Sequence, residues 1–191
     1  MKAAGAAEAS GAAEVAGGQE APGQRDKAGK DAAQRAKPAR PKLRAGIDEK
    51  QLAHAVTIVE TGQEVGLPRQ AYVVAIATAL QESQLKVLAN VNVPDSFDFG
   101  PRDGYGRDHD SVGIFQQRAS LYAINDLKFS MDPRYSTMKF YDGLKAVDGW
   151  ASMPVAEAAQ AVQVSAFPDA YAKHQGAAEL IVDSILEWQQ R

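Results

Sequence analysis

The 191-residue chain contains no cysteine, which excludes disulfide bonds and thiolate chemistry. It also contains no apolar run long enough to span a membrane. Lys2 is followed by AAGAAEAS, which lacks the apolar region of a signal peptide. The sequence therefore predicts neither a membrane span nor a signal peptide, while the absence of cysteine leaves the cellular compartment open.

Large apolar residues are nearly missing from residues 1–45. This segment has no aromatic residue and no isoleucine, and it contains one leucine and one valine. It cannot bury enough apolar surface to offset the entropy lost on ordering, so we expect a disordered arm or linker. Nine basic and five acidic residues give the arm a net charge of +4, whereas residues 46–191 carry −7. The acidic domain argues against nucleic acid as a partner.

From Ile47 onwards the pattern predicts a mainly α domain, residues 46–191, with at most a small β element. Asp48 and Gln51 have the spacing of a capping box at a helix start. His54 follows in that helix without an evident partner, and a surface or packing role is the better interpretation. Asp132-Pro133 is a second strong helix start. The apolar positions expected on the inner faces of the later helices are Tyr135, Met138, Tyr141, Leu144, Val155, Ala159, Val162, Ile181, Ile185 and Trp188.

The longest apolar segment runs over residues 71–80 and includes only Tyr72 and Thr78 as exceptions. A helix that is apolar on every side is normally buried. Two valines leave a strand possible, but the alanines and the length of the run favour a helix. Pro68 fits the first helical position. The sequence therefore predicts a buried core helix from about Pro68 to Ser83.

Glu82 lies at the carboxyl end of this predicted core helix. Ala75 and Ala79 share its face at helical spacing, and their small side chains leave open space there. Partial burial and the negative end of the helix dipole both disfavour a carboxylate, so both would raise the pKa of Glu82. A general acid that works near neutral pH requires such a raised pKa. The competing interpretation is that Glu82 simply turns to solvent where the helix ends.

Residues 93–111 contain two prolines, three glycines and five aspartates, which predicts a long loop. Its aromatic residues would either pin the loop to the core or stack on sugar rings. They are Phe97, Phe99 and Tyr105. Residues 111–118 are expected to form a short strand or extended turn, in which Gly113 permits close approach of a backbone or ligand.

Other kinds of site fit the sequence poorly. The glycines of the loop match neither a phosphate loop nor a dinucleotide-binding fingerprint. Asp108-His109-Asp110 is the best metal candidate, but its spacing matches neither an EF-hand nor a helical zinc pair. No serine lies in a nucleophile-elbow context. We therefore expect no metal and no cofactor.

Two segments, ATALQES (77–83) and DSVGIFQQR (110–118), resemble the paired motifs of the lysozyme-like superfamily. The closest branch is that of the soluble lytic transglycosylases and goose-type lysozymes. There a Glu-Ser pair ends a buried helix and a Gly-Leu-Met-Gln-like segment lines the cleft; Glu82-Ser83 and residues 113–116 stand in those places. MDPRYSTMKFYDGL, GW and AVQVSAFPDAYAKH are similar to peptidoglycan-cleaving domains of actinobacteria and their phages. The resemblance covers roughly residues 45–191.

The chain departs from this branch at one motif. The Ala-Tyr-Asn-Ala-Gly-type motif of common transglycosylases is missing, and AVQVSAFPDAY (161–171) stands in its position. Tyr171 or Gln163 would then supply the substrate contacts which that motif provides.

The resemblance implies a lysozyme-like α+β fold that cleaves the β-1,4 bond between MurNAc and GlcNAc in peptidoglycan. Glu82 would act first as acid and then as base, and attack by the sugar's own 6-hydroxyl would give the 1,6-anhydro product of a lytic transglycosylase. A hydrolytic muramidase would need a second carboxylate, for which Asp108 and Asp110 are the candidates. The residues expected to contact the substrate are Ser83, Ser111, Gly113, Gln116, Gln117 and Tyr171.

The implied partner is the peptidoglycan glycan strand, and we expect a monomer. The implied location is extracellular or cell-wall associated, despite the missing signal peptide. Two interpretations from other classes stay open. One is a non-catalytic module that binds or assembles cell-wall glycan, and the other is an intracellular helical interaction domain with a basic arm.

Overall fold

The computed structural model describes residues 40–41, 44–122, 127–165 and 168–191. Most of the predicted arm, residues 1–45, lies outside these ranges. The described part is mainly α-helical with a small β element, as predicted. Its α-helices are α1 (Glu49–Glu64), α2 (Arg69–Ser83), α3 (Ala119–Tyr122), α4 (Leu127–Ser130), α5 (Pro133–Lys145), α6 (Val155–Gln163) and α7 (Gln175–Gln189). Three 3-10 helices span Pro94–Asp98, Trp150–Ser152 and Pro168–His174.

Helix α2 is the predicted core helix, and every residue from Ala71 to Leu80 is buried. It packs against α1, α5, α6, α7 and the third 3-10 helix. An all-apolar helix of this kind is stable only when neighbours cover all of its sides, because apolar surface gains free energy when it leaves water. One detail of the prediction was wrong, since Pro68 is the N-cap residue in extended conformation and Arg69 begins the helix.

Helix α1 begins with the predicted capping box. The backbone N–H of Gln51 donates to Asp48 Oδ1 at 2.9 Å, and the backbone N–H of Asp48 donates to Gln51 Oε1 at 2.7 Å. His54 is buried, and its Nε2 lies 2.8 Å from Oδ2 of Asp103. The His54 side chain therefore has a packing role and a carboxylate partner, Asp103.

The β element consists of two small sheets that follow α2. Strands β1 (Leu88–Asn90) and β2 (Gly104–Gly106) are parallel, with Ala89 opposite Tyr105. Strands β3 (Ser111–Val112) and β4 (Gln117–Arg118) form an antiparallel hairpin. A bridge between Leu88 and Gly113 joins the hairpin to β1.

The long loop predicted for residues 93–111 was therefore wrong in part, because it contains the first 3-10 helix and strand β2. Phe97 and Phe99 pack against the core, whereas Tyr105 is exposed. These packed rings order the segment although its glycines, prolines and aspartates are typical of a loop.

Helix α5 begins at the predicted start, with Asp132 accepting a hydrogen bond from the Tyr135 backbone N–H. Its inner face differs from the prediction, since Met138 is exposed while Ser136 and Thr137 are fully buried. Hydroxyl side chains are tolerated inside a protein when they are hydrogen-bonded. The Thr137 hydroxyl donates to the Pro133 carbonyl at 2.6 Å, which satisfies this condition.

Helix α6 has Pro154 as its N-cap and ends at Gln163. Pro168 begins the third 3-10 helix. Within the described ranges, no helix is both long enough and apolar enough to cross a membrane.

Gly113 allows the β3–β4 hairpin to sit directly on the end of α4. Its φ is +77°, and its backbone N–H donates to the Leu88 carbonyl at 2.8 Å. A β-carbon at this position would overlap the backbone carbonyl oxygen of Ser130. Both the left-handed backbone and the close contact therefore require glycine.

We predict that Gly113→Ala destabilises the protein far more than Gly149→Ala. Gly149 has a similar φ of +73°, but a β-carbon there would have no atom within 4 Å. Gly149→Ala, the control, should lower the free energy of unfolding by about 1–2 kcal/mol, because of the left-handed conformation alone. Gly113→Ala should lower it by about 1–3 kcal/mol more, because of the overlap with Ser130. Urea unfolding of both variants measures the difference. Equal losses of stability would contradict the close contact between Gly113 and the Ser130 carbonyl.

Candidate active site

Glu82 occupies the last turn of α2 and is partly buried. The hydroxyl of Tyr171 donates a hydrogen bond to Glu82 Oε1 at 2.7 Å. Tyr171 belongs to the third 3-10 helix, and its side chain is fully buried. The structure thus brings together two predicted site residues that lie 89 positions apart in the sequence.

Burial is the largest influence on Glu82 and raises the pKa of its carboxyl. The hydrogen bond from Tyr171 opposes burial, because it favours the ionised form and lowers the pKa. The negative charge of Asp108 acts with burial and raises the pKa again. The net result is a raised pKa, so Glu82 holds its proton to higher pH than an ordinary glutamate.

Tyr171 is affected in turn by its acidic neighbour. Burial raises the pKa of the Tyr171 phenol well above its usual range, and the hydrogen bond and charge of Glu82 add to this. The phenol therefore stays protonated and remains a hydrogen-bond donor over the whole range in which Glu82 titrates. Because Oε1 already accepts this bond, Oε2 is the oxygen left to carry the Glu82 proton.

Ser83 ties the end of α2 to the β3–β4 hairpin. Its buried hydroxyl lies 2.7 Å from the Ile114 carbonyl oxygen and 3.2 Å from that of Ala79. Gln163 of α6 donates a hydrogen bond from its side-chain amide to the Phe115 carbonyl at 2.9 Å. The side chains of Ser83 and Gln163, both considered as substrate contacts, thus fix the hairpin beside Glu82.

The two glutamines of the hairpin have different surroundings. Gln116 is partly buried, and its side-chain nitrogen donates to the Gly113 carbonyl at 2.8 Å. Its amide oxygen faces Gly106, where an added β-carbon would lie 3.5 Å away. Gln117 is buried and accepts a hydrogen bond from the Ser136 hydroxyl at 3.2 Å. Gln117 is therefore engaged inside the protein, whereas Gln116 lies closer to the surface.

Asn90, which the sequence analysis did not single out, holds the segment that leads into the hairpin. It is fully buried, and its side-chain nitrogen donates to the carbonyl oxygens of Asp108 and Ser111, at 2.9 Å each. Its side-chain oxygen accepts the backbone N–H of Asn92 at 2.9 Å. The signal that could have identified Asn90 is an amide residue inside the apolar run VLANV, where only a fully hydrogen-bonded polar group is tolerated.

The structure distinguishes the two candidates for a second acid. The hydroxyl and backbone N–H of Ser120, together with the Arg118 guanidinium, hold the pKa of Asp110 well below its usual range. The Asp110 carboxylate is therefore already engaged by Arg118 and Ser120. Asp108 is exposed, and Oδ1 lies 2.8 Å from Nδ1 of His109. Of the two, Asp108 is the acid whose charge acts on Glu82.

His174 is a second neighbour of the site that the sequence analysis missed. It lies one turn beyond Tyr171, and its Nε2 is 3.1 Å from Oε1 of Gln81, the residue before Glu82. Burial, with a contribution from the charge of Lys173, lowers the pKa of His174. The imidazole is therefore neutral near neutral pH, with its proton on the Nε2 that faces the Gln81 oxygen.

A metal centre has no support in the part of the chain that the structure describes. No group of three or more histidine, cysteine, aspartate or glutamate side chains converges there. In Asp108-His109-Asp110, the imidazole binds Asp108 and the second carboxylate binds Arg118.

A comparison with models of protein families and a comparison with curated proteins each found no match to this chain.

We predict that Tyr171→Phe raises the pKa of Glu82 further. The variant removes the hydrogen bond that favours the ionised carboxylate, while burial and the charge of Asp108 remain. Titration of the labelled Glu82 side-chain carboxyl by NMR measures the change. Tyr105→Phe removes a hydroxyl from an exposed ring and serves as the control. A fall in the Glu82 pKa, or no change, would contradict the assigned role of Tyr171.

We predict that Glu82→Gln stabilises the fold at neutral pH but not in acid. Because the pKa of Glu82 is raised on folding, the wild type loses stability as the pH rises from the unfolded-state value through the folded-state value. Glutamine does not ionise, and its side-chain oxygen can still accept the Tyr171 hydrogen bond. We expect a gain on the order of 1 kcal/mol at pH 7, moderated by the partial solvent contact of the side chain.

Urea unfolding at pH 4 and pH 7 tests this prediction. Glu187→Gln, at an exposed position of α7, is the matched control and should change stability by less than about 0.5 kcal/mol. An equal effect of Glu82→Gln at both pH values would show that the Glu82 carboxylate carries no burial penalty.

Proposed function

We propose that this domain cleaves the β-1,4 bond between MurNAc and GlcNAc in peptidoglycan, with Glu82 as the catalytic acid and base. The observation that carries the proposal is a partly buried glutamate at the end of a fully buried helix, with a raised pKa and one oxygen fixed by a buried tyrosine. Cleavage of a glycosidic bond requires a proton donor of this kind. The resemblance of residues 77–83 and 110–118 to lysozyme-like motifs supplies the substrate class.

In the first step, the Glu82 Oε2 proton moves to the oxygen that links the two sugars. The bond from C1 of MurNAc to this oxygen breaks, GlcNAc leaves with a new hydroxyl, and Glu82 becomes a carboxylate. The Tyr171 hydrogen bond is worth more at this stage, because a hydrogen bond to a charged acceptor is stronger than one to a neutral acceptor. Tyr171 therefore stabilises the state that follows proton transfer.

In the second step, the 6-hydroxyl oxygen of the same MurNAc attacks C1 and displaces the acetamido oxygen, which bonded to C1 as GlcNAc departed. The proton of that hydroxyl returns to Glu82, which restores the acid and leaves a 1,6-anhydro sugar. This route needs one carboxyl group with two protonation states and no second acid. It agrees with the engagement of Asp110 by Arg118 and Ser120.

A hydrolytic muramidase is the alternative. For that reaction, Asp108 is a better candidate for the second carboxylate than Asp110. Asp108 is exposed and could orient a water molecule, and its charge already acts on Glu82. A hydrolase would give reducing MurNAc ends in place of 1,6-anhydro ends. Either reaction would take place on the glycan strands of the cell wall.

We predict that Glu82→Gln lowers the rate of digestion of purified sacculi by about 10²–10⁴-fold, the usual contribution of a general acid. Mass analysis of the released fragments measures the rate and identifies the ends. Glu187→Gln should retain the wild-type rate. An undiminished rate for Glu82→Gln would overturn the proposal, and sedimentation with sacculi without any turnover of the wild type would favour a non-catalytic glycan-binding module.

The same digestion separates the two reactions. Anhydro ends that persist in Asp108→Asn identify a transglycosylase. Reducing ends whose formation is lost in Asp108→Asn identify a muramidase that uses Asp108.

A further inference from the structure

We propose that Asn90 is a positioning residue, which fixes Asp108 and Ser111 relative to Glu82 by binding their backbone carbonyl groups. The hydrogen bonds of Asn90 go to Ser96 and to backbone groups of residues 92, 108 and 111, so its effect on Glu82 would pass through the segment that it holds. The consequence for catalysis rests on the proposed function, whereas the effect on Glu82 itself does not.

Every donor and acceptor group of the Asn90 side chain takes part in a hydrogen bond. Both N–H groups of its amide are used, one toward the Asp108 carbonyl and one toward the Ser111 carbonyl, at 2.9 Å each. Its amide oxygen accepts the Asn92 N–H at 2.9 Å. Its backbone N–H donates to the Ser96 hydroxyl at 2.9 Å. A fully buried amide with this set of partners has one low-energy orientation, because rotation would leave buried polar groups unsatisfied.

Asn90 holds the carbonyl groups on both sides of a short exposed turn. Residues 108–110 are partly or fully exposed, and His109 has a positive φ of 42°. The Ser111 backbone N–H donates to the Asp108 carbonyl at 3.1 Å, which closes the turn. Asn90 therefore holds the entry and the exit of the turn through one side chain, and a shift of the Asp108 backbone would break its hydrogen bond to the buried Asn90 amide.

Asn92 offers a natural comparison within the same network. Its side-chain nitrogen donates to the carbonyl oxygens of Arg107 and His109, at 3.1 and 2.7 Å. The two asparagines thus bind alternate carbonyls of one segment, but Asn92 is exposed while Asn90 is buried. Water can replace the exposed donor at little cost, whereas loss of the buried Asn90 amide removes a hydrogen bond from each of two carbonyls and leaves the Asp108 carbonyl with the Ser111 N–H.

Asp108 is the part of this segment with a direct effect on Glu82. Its negative charge disfavours ionisation of the Glu82 carboxyl. This influence depends on the distance between the two groups, and solvent screens it steeply as that distance grows. A side chain that fixes the backbone of Asp108 therefore helps to hold the Glu82 proton in place.

The test is a double-mutant cycle between Asn90→Ala and Asp108→Asn, read as the Glu82 pKa from NMR titration. Asp108→Asn should lower the Glu82 pKa because it removes the charge. Asn90→Ala should lower it in the same direction, and should have no further effect in the Asp108→Asn background. Amide exchange in residues 107–111 should accelerate at least about tenfold in Asn90→Ala.

A general loss of stability would not reproduce this pattern, because it would not depend on whether residue 108 is charged. An unchanged Glu82 pKa in Asn90→Ala, or an equal effect with and without the Asp108 charge, overturns the proposal. Asn92→Ala is the matched control and should leave the Glu82 pKa near the wild-type value. If Asn90→Ala does not fold, Asn90→Ser, which keeps one hydroxyl donor, is measured in the same cycle.

The proposed function is tested separately on the same variants. If the wild type digests sacculi, the high-pH limb of its activity should move to lower pH in Asn90→Ala, parallel with the Glu82 pKa. If the wild type has no activity, the proposed function fails while the NMR cycle still decides the role of Asn90.

Discussion

Complete burial of α2 is the constraint from which the rest of this structure follows. Every residue from Ala71 to Leu80 is buried, so neighbouring helices must cover α2 on all sides. The helix can therefore reach the surface only at its ends, and its last turn carries Glu82 to the junction of the β hairpin and the third 3-10 helix. A carboxyl group in that place is partly desolvated because of where the core helix stops. Its raised pKa is thus a consequence of how the core is packed.

The candidate site is held together largely through backbone carbonyl groups. Ser83 binds the carbonyl of Ile114, Gln163 binds that of Phe115, and Asn90 binds those of Asp108 and Ser111. Every residue type offers the same carbonyl group, so the position of residues 108–115 depends on donors from other elements. The side chains of the segment are then available for charge and for contact with a ligand.

The elements that were predicted correctly from sequence are those whose local sequence pattern agrees with their burial in the fold. The capping box at Asp48 and the core helix could be predicted because their signals lie within a few residues. The role of Glu82 as an acid near neutral pH stays a prediction, although its raised pKa agrees with it. The contact between Glu82 and Tyr171 could not be derived from spacing, because 89 positions separate them and only the packing of the third 3-10 helix on α2 unites them.

Predictions failed where tertiary contacts override composition. Residues 93–111 have loop composition, yet pairing with β1 turns Gly104–Gly106 into a strand, and buried side chains such as Ser96 order the rest. The inner face of α5 was misjudged for the same reason. Ser136 looks polar in sequence, but Gln117 gives it a partner inside the protein.

Burial has opposite consequences for the polar groups of this domain. The side chain of Asn90 finds its partners in backbone groups, so its burial stabilises one arrangement of the segment. Glu82 has one partner at Oε1, and its burial is only partly compensated. The uncompensated remainder, together with the charge of Asp108, raises the pKa of Glu82, whereas the donors around Asp110 hold the pKa of that carboxyl well below its usual range. A raised carboxyl pKa therefore follows where one buried group is short of partners, while the hydrogen-bonded groups around it hold it in place.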